Sequence, residues 1–285
     1  MAAAFVAAGV IAGAAPAHAA PTAAARLVTA ARTAPHRDVV AIVQFKAGVS
    51  ERRAAALARR HGARVAGRLP LIHGLALRLP ARKAQRLSHA RGVENVTLNT
   101  RVKPQAIGGP NLATTYPKTV GADKVWGGPG ADYTGKGVGV AVIDTGVDGD
   151  LADFRDENGR SRVVTNVVTN PLAKTAGDTY GHGTHVAGII AGNRPAGDPL
   201  AGAYIGIAPE ADIIAVKVAD DSGGATLLDV INGLQFVVDR RNDFNIRVVN
   251  LSLSSNTPQS YKTDPLDAAV ESAWLKGIVV VAAAG

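Results

Sequence analysis

Val138 to Asp148 reads VGVAVIDTGVD, and Asp178 to Gly188 reads DTYGHGTHVAG. The first is an apolar run rich in β-branched residues that ends on a carboxylate, Asp144, and it reads as a strand covered on both faces. The second sets His182 between two glycines, just where a small-residue helix, Thr184 to Ala191, begins. Gly181 and Gly183 are expected to leave room around the imidazole, and Gly188 to let the helix approach the sheet. A carboxylate at the C-terminal end of a strand and a histidine at a helix start, in that chain order, suggest a general base with its orienting partner.

Three more short apolar runs, Ile213 to Val218, Val248 to Leu253 and Ile278 to Ala283, have the same character. Between them lie two signalled helices. One starts at Thr226, with Asp229 three residues on in place of the usual Glu or Gln of a capping box, and repeats Leu227, Ile231, Leu234 and Val238 at helical spacing. The other opens at Asp264-Pro265 and stops at Gly277. Helices of this length between buried strands imply right-handed βαβ units, a parallel sheet, and chemistry at the C-terminal strand ends.

Before this region the pattern differs. Residues 21–37, rich in Ala, Thr, Arg and Pro, show no period and read as a linker. Val39 to Lys46, Ala63 to Leu71, Gly74 to Leu79 and Val93 to Thr100 are strand-like. Ser50 to His61 and Ala81 to Ala90 are helical, ended by Gly62 and Gly92. The order β-α-β-β-α-β is that of a small ferredoxin-like module. Ala2 to Ala15 is an uncharged apolar run followed by Ala17-His18-Ala19, which reads as a secretory signal peptide over residues 1–20. The run is too short for a membrane span.

Together the Asp144 and His182 stretches resemble the aspartate and histidine signatures of the subtilisin-like serine peptidases, peptidase family S8, whose triad runs in the order Asp, His, Ser. The resemblance implies a three-layer α/β/α fold with a mostly parallel sheet, incomplete here, over residues 121–285. It makes Asp144 and His182 catalytic, and His185 a buried structural histidine. It implies an inhibitory propeptide of the I9 type at residues 38–103, acting as an intramolecular inhibitor, and a processing segment at 104–120. Asp221 to Ala225 resembles the loop lying along an extended substrate, with Ser222, Gly223 and Gly224 as binding residues, and Asn250 to Ser255 the opposite wall, with Ser252, Leu253 and Ser254, serine standing at 254 and 255 where the family usually has glycine. Protein or peptide substrates would pair with both as an added strand. No cofactor is required for catalysis. A structural calcium falls, by resemblance, at Asp153 and the loop Gly192 to Gly206, where Asn193 and Asp198 offer oxygens.

The nucleophile is expected beyond what these residues provide. Val279 to Gly285, VVVAAAG, resembles the strand leading into the oxyanion asparagine, and Ser252, Ser254, Ser255 and Ser260 do not match the serine motif. The expectation is the front part of a secreted endopeptidase zymogen. The alternative is a secreted fragment without catalysis, whose propeptide-like domain binds and inhibits a peptidase.

Other chemistries fit less well. Asp144-Thr145-Gly146 is also the tripeptide of aspartic peptidases, but these need two copies on an all-β fold. His182 and His185 are three apart, whereas the zinc helix motif spaces its histidines by four with an intervening glutamate. Gly135 to Gly139 precedes a strand instead of opening a helix, so it is a turn and not a phosphate loop. There is no cysteine, which excludes thiolate catalysis and disulfides. The net charge of +8 divides into 17 Lys+Arg against 3 Asp+Glu in residues 1–103 and 14 against 20 in residues 104–285. With almost no aromatics and no nucleic-acid motif in the basic part, attraction between the two parts is the expected use of the charge, and nucleic acid is not an expected partner. Asp148, Asp150, Asp156 and Glu157 read as a solvated acidic face.

Overall fold

The computed structural model describes residues 22–104, 115–126, 133–255, 257 and 259–284. The expected signal peptide and most of the expected processing segment lie outside these residues.

The chain begins with a helix, α1 (Ala23–Thr33), where the sequence reading placed a linker. Thr22 caps it through the Ala25 N–H, and Ala23, Leu27 and Ala31 form its buried stripe. Leu27 is the only large residue in that stripe, so alanines scattered around the whole helix hide the period. The next elements are β1 (Asp38–Phe45), α2 (Glu51–Arg60), β2 (Arg64–Leu69), β3 (Gly74–Pro80), α3 (Ala81–Leu87) and β4 (Val93–Leu98). The Ser50 hydroxyl caps α2 as its position suggested. The strands form one sheet in the order β2-β3-β1-β4, with every neighbouring pair antiparallel, as a ferredoxin-like module requires. One sheet face, with Ala41, Val43, Leu75, Leu77 and Leu79, packs on α2 and α3. The other, with Ile42 and Ala76, faces away from them.

After β5 (Arg101–Pro104) and a short α4 (Tyr116–Thr119) come β6 (Gly139–Asp144), β7 (Val163–Val168), α5 (His182–Ala191), β8 (Asp212–Lys217), β9 (Ala225–Thr226), α6 (Leu227–Asp239), β10 (Ile246–Leu251), β11 (Leu253–Ser255), α7 (Pro265–Leu275) and β12 (Val279–Ala282). Five of these strands form a wholly parallel sheet in the order β12-β10-β6-β8-β7. Every residue of β6 is buried, because Val140 and Val142 face α5 while Ala141 and Ile143 face α6 and α7. That two-sided burial is why its sequence is continuously apolar. The sheet thus has helices on both faces, the α/β/α arrangement expected. Strand β7 escaped the sequence reading. It lies at the sheet edge, and its Val-Val-Thr-Asn-Val-Val run alternates half-buried and exposed positions.

The two parts share one apolar cluster. Ile42, Leu69, Ile72 and Ala76 of the first sheet join residues of α6 and α7 in it. Around it the Leu71 N–H donates to Gln235 Oε1 (2.7 Å), and Ser272 Oγ donates to the Leu71 carbonyl (2.9 Å). The Leu227 and Leu228 N–H groups at the start of α6 donate to the Thr100 carbonyl and to Asn99 Oδ1, each at 2.7 Å, so the first module supplies partners that a helix start lacks by itself. Among the described residues the ion pairs, from Arg68–Glu51 to Arg240–Asp243, each lie within one part, and the contacts just named are apolar or between uncharged polar groups.

Residues 104–285 expressed without the first module would bare the α6/α7 surface that this cluster covers, and they are expected to aggregate. Size-exclusion chromatography and thermal melting check this. A monodisperse monomer with a cooperative melt would show that the module is dispensable for the fold.

Candidate active site

β6 and β8 end side by side, Asp144 against Lys217, at the edge where parallel strands present their C-termini. Helix α5 starts over the same edge, so its first residue, His182, meets the last residue of β6. The His182 Nδ1 lies 2.6 Å from Asp144 Oδ1, with the Asp144 side chain fully buried and that of His182 8% exposed. Asp144 Oδ1 also accepts the Thr145 N–H (2.7 Å), while its Oδ2 has no hydrogen-bond partner among the described residues. A buried carboxylate oxygen left unpaired is costly where a group only packs. It is consistent with a carboxylate whose partner takes up a positive charge.

The close approach depends on Gly183. A Cβ there would lie 2.1 Å from the Gly146 carbonyl oxygen and 3.1 Å from the Asp144 Cβ. Gly181, at φ +91°, supplies the left-handed turn into the helix. Gly188 has no such part, since a Cβ built on it meets nothing within 4 Å. His185 is also not as expected. It is exposed, and with Tyr116, Leu151, Ile189 and Tyr204 it lines a depression on the outer side of α5.

Beside this pair a strand of the chain itself lies between two others. β5 pairs antiparallel with β11, Pro104 against Leu253, Lys103 against Ser254 and Val102 against Ser255. On its other side it pairs antiparallel with β9, Arg101 against Thr226 and Val102 against Ala225. The two sequence-predicted walls are therefore the two elements that grip an extended segment, with a shift in detail. Ala225 and Thr226 do the pairing, while Ser222, Gly223 and Gly224 form the turn leading to it. In that turn Asp220 Oδ1 accepts the N–H groups of Ser222 and Gly224 and the Ser222 hydroxyl, which holds these residues out of the ladder. On the other wall Leu253 and Ser254 pair with the segment. Ser252 sits between β10 and β11, its hydroxyl accepting from Asn250 Nδ2 (2.8 Å).

Sequence reasoning missed Lys217, and it read Asp221 only as the start of the substrate-loop stretch. Lys217 is fully buried, and its Nζ donates to the Gly177 carbonyl (2.7 Å) and to Asp221 Oδ1 (2.9 Å). Asp221 also accepts from the Lys174 N–H and from the hydroxyls of Thr175 and Thr179. The loop before His182 and the turn before β9 are thereby tied to one carboxylate. The hydrogen bond from Lys217, against a smaller opposing effect of burial, lowers the Asp221 carboxyl to about 2. A lysine inside an otherwise apolar strand, AVKVAD, was the available signal.

The residues expected to hold calcium do not suit it. Arg194 binds both carboxylates, with Nε and Nη2 each 3.2 Å from Asp153 and Nη1 3.1 Å from Asp198. The Asp153 carbonyl already accepts from the Asn193 N–H and from Arg162 Nη2. Arg162, itself buried, also donates to the carbonyls of Ala191 and Ala211. Arg194 thus occupies both carboxylates, and Arg162 the Asp153 carbonyl, that a cation would need.

Comparison with known proteins adds the following. Residues 135–285 match the family model Peptidase_S8, described as the subtilase family. The chain is 36% identical over 210 residues to the serine protease AprX of Bacillus subtilis (strain 168), covering 70% of this chain and 42% of that one. It is 40% identical over 154 residues to subtilisin E of the same organism, covering 54% and 35%. The chain therefore spans well under half the length of these relatives. The crystal structure of fervidolysin from Fervidobacterium pennivorans, described as a keratinolytic enzyme related to subtilisin, matches with a TM-score of 0.57 at 20% identity, over 88% of this chain and 40% of that one. At that identity the likeness is one of fold.

Two outcomes are expected. Because the Asp221 carboxyl is depressed, its ties are present above the ordinary carboxylate range and are lost only as pH falls through about 2. Hydrogen exchange at the Lys174 amide should stay slow down to about pH 3, and in Lys217→Met it should quicken already near pH 4. Second, neither calcium nor a chelator should move the melting temperature of the protein. Arg194→Ala should lower it and make it respond to calcium, whereas a wild-type melt that rises with calcium would show a cation site that the arginines do not fill.

Proposed function

The chain belongs to the subtilase family of serine peptidases, and from that premise we propose that it carries the propeptide and the first part of the catalytic domain of a secreted endopeptidase zymogen. The observation that carries the catalytic assignment is the 2.6 Å contact between His182 Nδ1 and Asp144 Oδ1 at the strand edge. With Nδ1 engaged by Asp144, the Nε2 of His182 is the general base. It takes the proton of a serine hydroxyl as that oxygen attacks the peptide carbonyl, and returns it to the leaving amine. Asp144 holds the tautomer and balances the imidazolium that forms between the two transfers. No serine of this chain is assigned as the nucleophile in this reading, and the chain spans 42% and 35% of the two relatives' lengths.

The zymogen reading is supported by β5. A peptide substrate in this reading would lie antiparallel between β9 and β11, its backbone paired on both sides. Arg101–Pro104 takes that place, at the end of a module that shares a core with α6 and α7. The first module thus acts as an inhibitor that occupies the cleft from within. Secretion rests on the apolar run Ala2 to Ala15 and Ala17-His18-Ala19. Among the described residues no helix is long and apolar enough to cross a membrane.

Reading the source DNA beyond codon 285 should reveal an asparagine at once and a Gly-Thr-Ser motif further on, and the protein so encoded should hydrolyse peptides. In subtilisin, removing the histidine lowers kcat by about 2 × 10⁶ and removing the aspartate by about 3 × 10⁴. Losses of the same order are expected for His182→Ala and Asp144→Ala. A stop codon after Gly285 would instead favour a binding module without catalysis, and full activity in His182→Ala would remove the triad assignment.

A further inference from the structure

Helix α5 starts without a cap of its own. Its N-cap residue is Gly181, which has no side chain to accept from the first turn. A helix start has N–H groups that need partners, and here a carboxylate three residues upstream provides them. Asp178 Oδ1 accepts the Gly181 N–H (2.8 Å), and its Oδ2 accepts both the N–H (2.8 Å) and the hydroxyl (2.7 Å) of Thr184. The negative charge also suits the positive end of the helix.

The same carboxylate reaches the other catalytic segment. Its Oδ1 accepts the hydroxyl of Thr145, the residue after Asp144, at 2.8 Å. Thr145 Oγ in turn accepts the Gly183 N–H (2.9 Å), and Thr184 Oγ accepts the Asp148 N–H (3.0 Å). Asp178, Thr145 and Thr184 thus close a ring of hydrogen bonds between the end of β6 and the first turn of α5. His182 is the first residue of that turn, so a small slip or rotation there would carry its imidazole away from Asp144. Burial raises the Asp178 carboxyl, but the hydrogen bonds from Thr184, Gly181 and Thr145 outweigh it and hold the group below its ordinary value. The accepting carboxylate therefore persists across the pH range in which an imidazole acts as a base.

We propose that Asp178 is a positioning residue for catalysis: acting through Thr145 and Thr184, it sets the distance between His182 Nδ1 and Asp144 Oδ1 without touching the substrate. The proposal rests on the peptidase reading above, but its first test does not depend on activity. Asn at 178 keeps the shape and turns one accepting oxygen into a donor, which then faces donors. Val at 145 keeps the shape and removes the linking hydroxyl, while Ser at 145 restores it.

The test is proton NMR of the downfield His182 Nδ1–H resonance in the full chain, with thermal melting alongside. Asp178→Asn and Thr145→Val should each weaken or abolish the resonance through faster exchange with water, and Thr145→Ser should retain it. In the enzyme carrying its serine, the first two variants should lower kcat by about 10- to 100-fold with KM changed less than about twofold, and Thr145→Ser should recover most of the loss. If Asp178→Asn does not fold, Thr145→Val against Thr145→Ser gives the same comparison. An unchanged resonance in Thr145→Val together with a lower melting temperature would make Asp178 a helix cap only and overturn the proposal. A resonance lost as expected in a serine-bearing protein that cleaves no peptide would sustain the positioning and overturn the peptidase reading.

Discussion

The structure turns on a hydrogen bond between two buried groups, Asp144 Oδ1 and His182 Nδ1, at the point where a central strand ends and a helix begins. A charge-assisted bond of this length withstands burial only if its surroundings are rigid and dry. The features around it serve that end. Strand β6 is buried on both faces, Gly183 lets α5 come within reach of the Gly146 carbonyl, and Lys217 fixes the loop before the histidine from below. The C-terminal edge of a parallel sheet is the place in the fold where a strand end, a helix start and two loops meet.

Helices α6 and α7 link the site to the rest of the chain. Their inner sides pack on the sheet that carries Asp144, and they share an apolar cluster with Ile42, Leu69, Ile72 and Ala76 of the first module. The N-terminus of α6 is completed by groups at the end of β4, and from there the chain passes directly into β5. Docking of the module and the pairing of β5 with β9 and β11 are therefore one structural event.

Much of this could be read from residue types and spacing. Unbroken β-branched runs marked four of the five parallel strands, Thr226 with Asp229 marked the start of α6, and Ser50 marked that of α2, because each signal depends on neighbours in the chain. The failures share a cause as well. Helix α1 shows no period because its buried stripe is mostly alanine, and β7 is hidden because an edge strand may carry polar residues on one face. His185 is read by resemblance and Gly188 from its missing side chain, but the surroundings of both lie far away in the chain, and here one is exposed and the other uncrowded.

The sequence alone determined the two layered parts, the strand that ends on Asp144 and the helix that begins at His182. Hydrophobic period, caps and turn residues are local properties, and they act before any tertiary contact exists. Only the tertiary structure decided that Asp144 and His182 lie 2.6 Å apart, and that Ala225 and Thr226, not Ser222 to Gly224, hold the extended strand. It also decided that Arg162 and Arg194 take the donors expected of a metal site. Each of these depends on groups that only the folded chain brings together, and distance along the chain carries no record of that.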